Sequence, residues 1–244
     1  MTSTHGGRHN RNALFDALTS VAKAVASGRR AEIVELLAQG ERTVEEIATA
    51  IGQTLANTSH HLRTLARAGL VRTRRQGTWM YYSLASEDVS VMWAAIRRVA
   101  AKQVAEVEQL ATAYLGDRTG LTTIGRDELL RRFEDGDVVV VDVRPAAEYA
   151  AGHIPTAVNI PIDDLAQRLD DIPEDVTVVA YCRGPYCVYA DDAVRLLTQR
   201  GHTAARLEDG FPEWRSAQLP VQSAGGELSP PVRPYSGSSV TRPH

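Results

Sequence analysis

The sequence predicts two domains: a mainly-α domain that contains a β-hairpin, then an α/β domain with a parallel sheet and helices on both faces. Three observations lead there. A chain of 244 residues is long for a single domain of ~100–200 residues. Its net charge of −3 hides a split: residues 1–115 hold 14 Lys+Arg against 10 Asp+Glu, and residues 116–244 hold 13 against 20. The apolar spacing also changes, from helical runs before position 116 to alternating strands and helices after it.

Residues 1–11 read as a disordered polar head. Leu14, Leu18, Val21, Ala22 and Val25 recur at helical spacing over residues 12–27, and Gly28 is expected to end that helix. Ile33, Val34, Leu36 and Leu37 mark a second helix over 29–38, closed by Gly40. Thr43 and Glu46 have capping-box spacing and open a third helix that stops at Gly52. Thr54 caps a fourth, which runs to Ala68 and Gly69. Two β-prone runs, 70–75 and 78–84, flank Gln76-Gly77 and predict a hairpin. One long helix is expected over 87–115. Its apolar stripe is too long for a small domain to bury and predicts a dimer surface.

Residues 116–121 read as a linker. Strands are expected at 137–143, 157–160, 176–181 and 203–207, with helices at 163–169 and 188–200. From Leu219 onward Pro, Gly and Ser dominate, so 219–244 is expected to be disordered. The domains are thus 12–115 and 122–217.

With 43% hydrophobic residues the chain can bury a core without disulfide or metal staples. No apolar run reaches the ~18–20 residues of a membrane helix, and no secretory signal is evident, so no membrane partner is expected. Cys182 and Cys187 are the only cysteines. That excludes a disulfide framework and fits a reducing, cytoplasmic setting.

Helix, short turn, helix and basic hairpin together are the layout of a winged helix-turn-helix. The fourth helix would enter the major groove of double-stranded operator DNA by its N-terminal part. Asn57, Thr58, Ser59, His60, His61 and Arg63 there carry groups able to meet base edges and phosphates. Arg72, Arg74 and Arg75 on the hairpin suit the DNA backbone or minor groove. The string from Thr54 to Val71 (TLANTSHHLRTLARAGLV), followed by Arg74-Arg75-Gln76-Gly77-Thr78-Trp79-Met80-Tyr81-Tyr82, resembles the arsenic-repressor (ArsR/SmtB-type) transcriptional regulators. The resemblance covers residues 12–115 and implies a homodimeric repressor released from DNA by an inducer. Members often sense metals through Cys on the helix before the recognition helix, or through Asp/His sets on the last helix. Here residues 43–51 hold no Cys or His, residues 87–115 hold no His, and no Cys precedes position 182. No metal and no cofactor are therefore expected.

Cys182 directly follows an apolar strand, and a helix starts near Val188. Strand, loop and helix hand backbone N–H groups and a helix N-terminus to the sulfur, which stabilises a thiolate, a persulfide or an oxyanion; Arg183 adds positive charge. The wider pattern runs Asp142-Val143-Arg144-Pro145-x-x-Glu148-Tyr149-x-x-Gly152-His153-Ile154-Pro155, then Tyr181-Cys182-Arg183-Gly184, then Gly210-Phe211-x-x-Trp214. It resembles a rhodanese (sulfurtransferase) domain over residues 122–217. The resemblance implies Cys182 as the persulfide-forming residue, with Gly184, Pro185 and Tyr186 in its loop. It also implies an ion-paired cluster of Asp142, Arg144 and Glu148 that supports the fold, with His153 structural rather than catalytic.

Many rhodaneses read Cys-Arg-x-Gly-x-Arg, whereas here Cys187 stands where that last cation is common. The change weighs against thiosulfate, a dianion, and lets Cys187 act with Cys182 and Arg183 as a catalytic set. Cys187 would resolve a Cys182 persulfide to a disulfide.

The expectation is a DNA-binding repressor that answers to reactive sulfur or redox state, with a persulfide, a sulfide-derived species or thiosulfate as donor. Modification would reach the dimer through the long helix. The alternative is a sulfurtransferase whose DNA-binding domain only localises or regulates it; a third reading keeps the regulator and makes the second domain inert. An arsenate-reductase or phosphatase-like activity is weaker, because Val188 stands where a phosphate-clamping Arg would close the loop. A metalloid sensor is also weaker, because two thiols are an incomplete soft-metal site.

Overall fold

The computed structural model describes residues 4–173, 175–224, 228 and 229. The first domain comprises α1 (Thr4–Val25), α2 (Gly28–Leu37), β1 (Arg42–Thr43), α3 (Val44–Ala50), α4 (Leu55–Arg67), β2 (Val71–Gln76), β3 (Trp79–Leu84), α5 (Glu87–Gln103) and α6 (Ala105–Leu115). Its three strands form an antiparallel sheet in the order β1-β3-β2. Ile33, Val34, Ile47, Leu62 and Leu65 are fully buried at its centre, each contributing about 1.5–3 kcal/mol by leaving water. The capping box at α3 forms: Glu46 N–H donates to Thr43 Oγ1, and Thr43 N–H donates to the Glu46 carboxylate at 2.7 Å. Gly77 turns the hairpin at φ +61°, a conformation that an L side chain resists.

The second domain comprises β4 (Thr123–Ile124), α7 (Arg126–Asp135), β5 (Val138–Asp142), α8 (Ala146–Ala151), β6 (Val158–Asn159), α9 (Ile162–Leu165), a 3₁₀ turn (Leu169–Asp171), β7 (Thr177–Tyr181), α10 (Tyr189–Gln199), β8 (Ala204–Leu207) and α11 (Phe211–Ser216). Five strands pair in the order β4-β8-β7-β5-β6, all parallel. Side chains alternate across the sheet, as a period of two requires. Val141, Val178 and Ala180 pack with Leu165, Ala193 and Leu197 on one face. Val140, Val179 and Tyr181 pack with Leu129, Phe211 and Trp214 on the other. Helices therefore cover both faces.

Several local expectations are corrected. Residues 4–11 are helical, because extending an existing helix adds one hydrogen bond per residue without a new nucleus. Gly28 opens α2 instead of ending α1. The long helix breaks at Val104, a β-branched residue with extended dihedrals (φ −113°, ψ 98°). The tail is ordered at its start. Leu219 and Val221 pack beside Trp214, Trp214 Nε1 donates to the Pro220 carbonyl at 2.8 Å, and Gln222 pairs its backbone with His153. Composition averaged over the tail hides these anchors. Val221–Gln222 (β9) also pairs antiparallel with Leu228–Ser229 (β10). The expected disorder of 1–3, 225–227 and 230–244 lies outside the described residues. Helices α7, α8 and α11 were not expected from the sequence: α8 and α11 are 6 residues each, too short to show a helical period, whereas α7 carries Leu129, Leu130 and Phe133 at a helical spacing that the reading passed over.

The two domains touch. Arg97 of α5 pairs with Glu35 of α2 at 2.7 Å and with Glu213 of α11. Arg215 of α11 pairs with Glu87 of α5 at 2.7 Å and donates to the Ala38 carbonyl at 3.0 Å.

Candidate functional site

Thr54 caps α4, its hydroxyl accepting from Asn57 N–H at 3.3 Å. Asn57, His60 and Arg63 are exposed on that helix, and Ser59 and His61 are half-buried. Burial, with Arg30 nearby, lowers the His61 pKa. Thr58 is a correction: it is fully buried, and its hydroxyl donates to the Thr54 carbonyl at 2.9 Å, so it stiffens the first turn and offers nothing outward.

Arg72, Arg74 and Arg75 are exposed on the hairpin beside Trp79 and Met80. They differ in how free they are. Arg74 is forked onto Glu41 and lies 4.8 Å from the Tyr81 ring centroid. Arg72 donates to Ser83 Oγ at 3.3 Å and Arg75 to the Gly77 carbonyl at 3.0 Å, and among the described residues neither engages an acid.

Cys182 sits at the C-terminal end of β7, where a parallel sheet opens its crevices. The loop 183–188 leads into α10. Gly210 lies so close that a Cβ there would meet the Gly184 nitrogen at 2.2 Å, so a bare backbone is required. Phe211 N–H donates to the Cys182 carbonyl at 3.0 Å.

The signature residues divide into two groups. Asp142 and Arg144 are fully buried and paired at 2.6 Å, and the Tyr181 hydroxyl donates to Asp142 at 2.6 Å. Arg144 also donates to the Gly152 carbonyl at 2.8 Å and to Gln39 Oε1 at 3.2 Å, and it lies 4.4 Å from the Phe211 ring centroid. Its guanidinium is thereby satisfied. Glu148, buried at 1% exposure, adds its charge beside Arg144 but makes no hydrogen bond to it among the described residues. It accepts instead from Arg183 at 2.6 Å and from Arg42 of the first domain at 2.5 Å. Burial disfavours the Arg183 charge, and the Glu148 carboxylate more than offsets that.

Gln39, Arg42 and Arg118 were not visible as site residues in the sequence. Each acts across a separation of 67 to 144 positions, for which local pattern carries no signal. Gln39 Nε2 donates to the Arg183 carbonyl at 3.1 Å. Arg118, in the segment joining the domains, pairs with buried Asp191 of α10 at 2.6 Å and donates to the Pro185 carbonyl at 3.0 Å.

The two thiols lie in contrasting surroundings. Cys182 is 2% exposed and Cys187 is half-buried. Burial, then the Cys187 neighbour, pushes the Cys182 thiol well up. The Cys182 thiol beside it, against the opposing effect of burial, brings Cys187 down to about 7, with help from the Arg183 and Tyr189 N–H groups. Such a pair can take up sulfane sulfur or close a disulfide. Among the described residues, no group of three or more His, Cys, Asp or Glu is placed to hold a metal ion. Nor is any helix long and apolar enough to cross a membrane.

The sequence profile described as "Bacterial regulatory protein, arsR family" matches residues 27–73, and that of a rhodanese-like domain matches residues 125–217. HTH-type transcriptional regulator Rv0324 of Mycobacterium tuberculosis is 50% identical over 216 residues, 88% of this chain and 95% of that protein. A protein named sulfurtransferase from Allochromatium vinosum is 35% identical over 105 residues, 42% of this chain and 96% of that one. Among solved structures, the homodimeric winged helix-turn-helix DNA-binding domain of Mb0332 from Mycobacterium bovis is 47% identical, with a TM-score of 0.37, over 39% of this chain and 89% of that one. Two profiles in series, and a relative matched along nearly its whole length, assign the chain: it belongs to the arsR family of bacterial transcriptional regulators and carries a rhodanese-like domain behind its winged helix-turn-helix.

Proposed function

We propose that the protein is a cytoplasmic homodimeric repressor whose DNA affinity is set by the sulfur or redox state of the Cys182/Cys187 loop. The observation that carries this reading is the continuity of hydrogen bonds between that loop and the DNA-binding domain. Arg183, the residue after Cys182, meets Gln39 through its carbonyl and Glu148 through its side chain, and Glu148 also holds Arg42. Arg42 and Thr43 pair with Tyr82 and Tyr81 on the β3 strand of the wing, and Thr43 caps α3. A change in the loop therefore shifts groups that position the wing and α3. A useful switch needs about 1–3 kcal/mol of coupling.

Exposed Leu14, Leu18, Val99, Leu110 and Tyr114 support a second copy against α1, α5 and α6. A dimer of this kind would read a palindrome with half-sites ~34 Å apart. The test is operator binding by the full chain before and after a persulfide donor, with Cys182→Ser alongside. Donor-dependent release that the variant loses supports the reading. Release by the variant at the unmodified protein's level refutes it.

The identity to a protein named sulfurtransferase favours a second reading, an enzyme that passes sulfur to an acceptor. Turnover separates the two, because a sensor needs a single event per molecule and an enzyme cycles.

A further inference from the structure

Resting on the sulfur-responsive reading, we infer that Cys187 is the entry thiol, taking sulfane sulfur from a small hydropersulfide in the cleft between the domains, and that buried Cys182 acts second.

A cleft of about 320 Å³ opens between α2, the end of α3, Tyr114 of α6 and the loop 183–189. Cys187 lines it, and Cys182 does not. Cys182 lies beneath, its Sγ 3.8 Å from the Cys187 carbonyl and 4.0 Å from that of Gly184. Cys182 and Cys187 are thus neighbours across the loop, and of the two only Cys187 lines the cleft. The loop's N–H groups are shared between the two thiols: those of Arg183 and Tyr189 favour the Cys187 thiolate, those of Gly184 and Ala190 the Cys182 thiolate. The lowered pKa of Cys187 supports the same order of events.

The cleft walls set the donor class. Among the lining residues the one cation is Arg183, and its guanidinium is committed to Glu148. Glu32 and Glu35 line the same cleft. Each is already paired with an arginine, Glu32 with Arg29 at 2.8 Å and Glu35 with Arg97 at 2.7 Å, so a dianion such as thiosulfate meets no free positive charge there. A hydropersulfide, R–S–SH, carries no such burden.

The chemistry balances without a further oxidant. The Cys187 thiolate, its proton released to water, attacks the outer sulfur of R–S–SH. The S–S bond of the donor breaks, R–S⁻ leaves and takes up a proton, and Cys187–S–SH remains. Cys182 then gives up its proton and attacks the Cys187 sulfur. The 182–187 disulfide forms, and hydrosulfide leaves carrying the electron pair of the broken bond. Two thiols are oxidised and one sulfane sulfur is reduced to sulfide.

The test treats reduced full-length protein with one equivalent of sodium hydrodisulfide, quenches with an alkylating agent and maps the peptides by mass. Cys182→Ser is expected to accumulate a persulfide on Cys187. Cys187→Ser is expected to react at least ~10-fold more slowly, since its remaining thiol is buried and protonated. Sulfur arriving on Cys182 of Cys187→Ser at the unmodified protein's rate would overturn the inference and leave the sulfur reading standing. Reaction at neither thiol of the unmodified protein would remove both. Limiting iodoacetamide on the unmodified protein gives a check free of substitution: Cys187 labels first, and Cys182 labelling first overturns the order. Thiosulfate matching the hydrodisulfide rate would overturn the donor class.

Discussion

The side-chain amide of Gln39 donates to the carbonyl oxygen of Arg183 at 3.1 Å, while its own oxygen accepts from Arg144 at 3.2 Å. Gln39 belongs to the DNA-binding domain and is fully buried, so this one amide satisfies a loop carbonyl and a buried guanidinium at once. Gln39→Ala leaves both without that partner. The expected loss is about 1–3 kcal/mol of stability, measured by urea unfolding. Donor-induced release from DNA is expected to weaken as well.

Glu148 and Arg42 should separate stability from communication. Glu148→Ala strands Arg183, which is 30% exposed, and Arg42, which is 16% exposed. Breaking a buried pair in this way costs about 3–5 kcal/mol. Arg42→Ala leaves Glu148 still paired with Arg183, so it should unfold at denaturant concentrations closer to the unmodified protein while losing the response of DNA affinity to sulfur. Equal losses of stability in the two variants would contradict this.

The wing arginines are unequal. Among the described residues Arg75 meets no acid, whereas Arg74 is held by Glu41. Arg75→Ala is expected to reduce the salt dependence of DNA binding by about one unit of log–log slope. Arg74→Ala should change it less, and Glu41→Gln should raise affinity by freeing Arg74. Titrations at several salt concentrations decide the ranking.

Alkylation of Cys187 should rise with pH to a plateau, with a midpoint near its pKa of about 7. The sign follows from the thiolate being the reactive form: below that pH Cys187 is protonated and slow. Cys182, whose pKa is pushed well up by burial, should stay slow across the same range. Peptide-resolved alkylation rates from mildly acidic to mildly alkaline buffer test both statements.

The sequence carried the architecture well, because its signals are local. Capping at Thr43 and Thr54, the Gly77 turn, and the Val138–Asp142 strand ending at its signature each depend on residues within a few positions. The sulfur loop was legible as a loop, and Cys182 and Cys187 as a pair. Which thiol faces the cleft was not legible, because that is settled by α2, α3 and α6 of the other domain. Thr58 was misread for a related reason: helical spacing alone did not show that its hydroxyl folds back onto Thr54. Glu148 was grouped with Asp142 and Arg144 by the signature that the three share, which does not report that Arg144 hydrogen-bonds Asp142, Gly152 and Gln39 while Glu148 holds Arg183 and Arg42.

Arg118 ties the connecting segment to Asp191 and to the Pro185 carbonyl, so the hinge between the domains is itself part of the floor of the sulfur loop. The two halves are therefore not interchangeable cassettes. A rhodanese-like domain grafted from a free-standing protein would arrive with no counterpart to Arg118, Gln39 or Arg42, and its loop would have to find other supports. Substitutions at these junction positions are constrained from both sides, so the halves should drift in evolution as one unit rather than as two that share a chain.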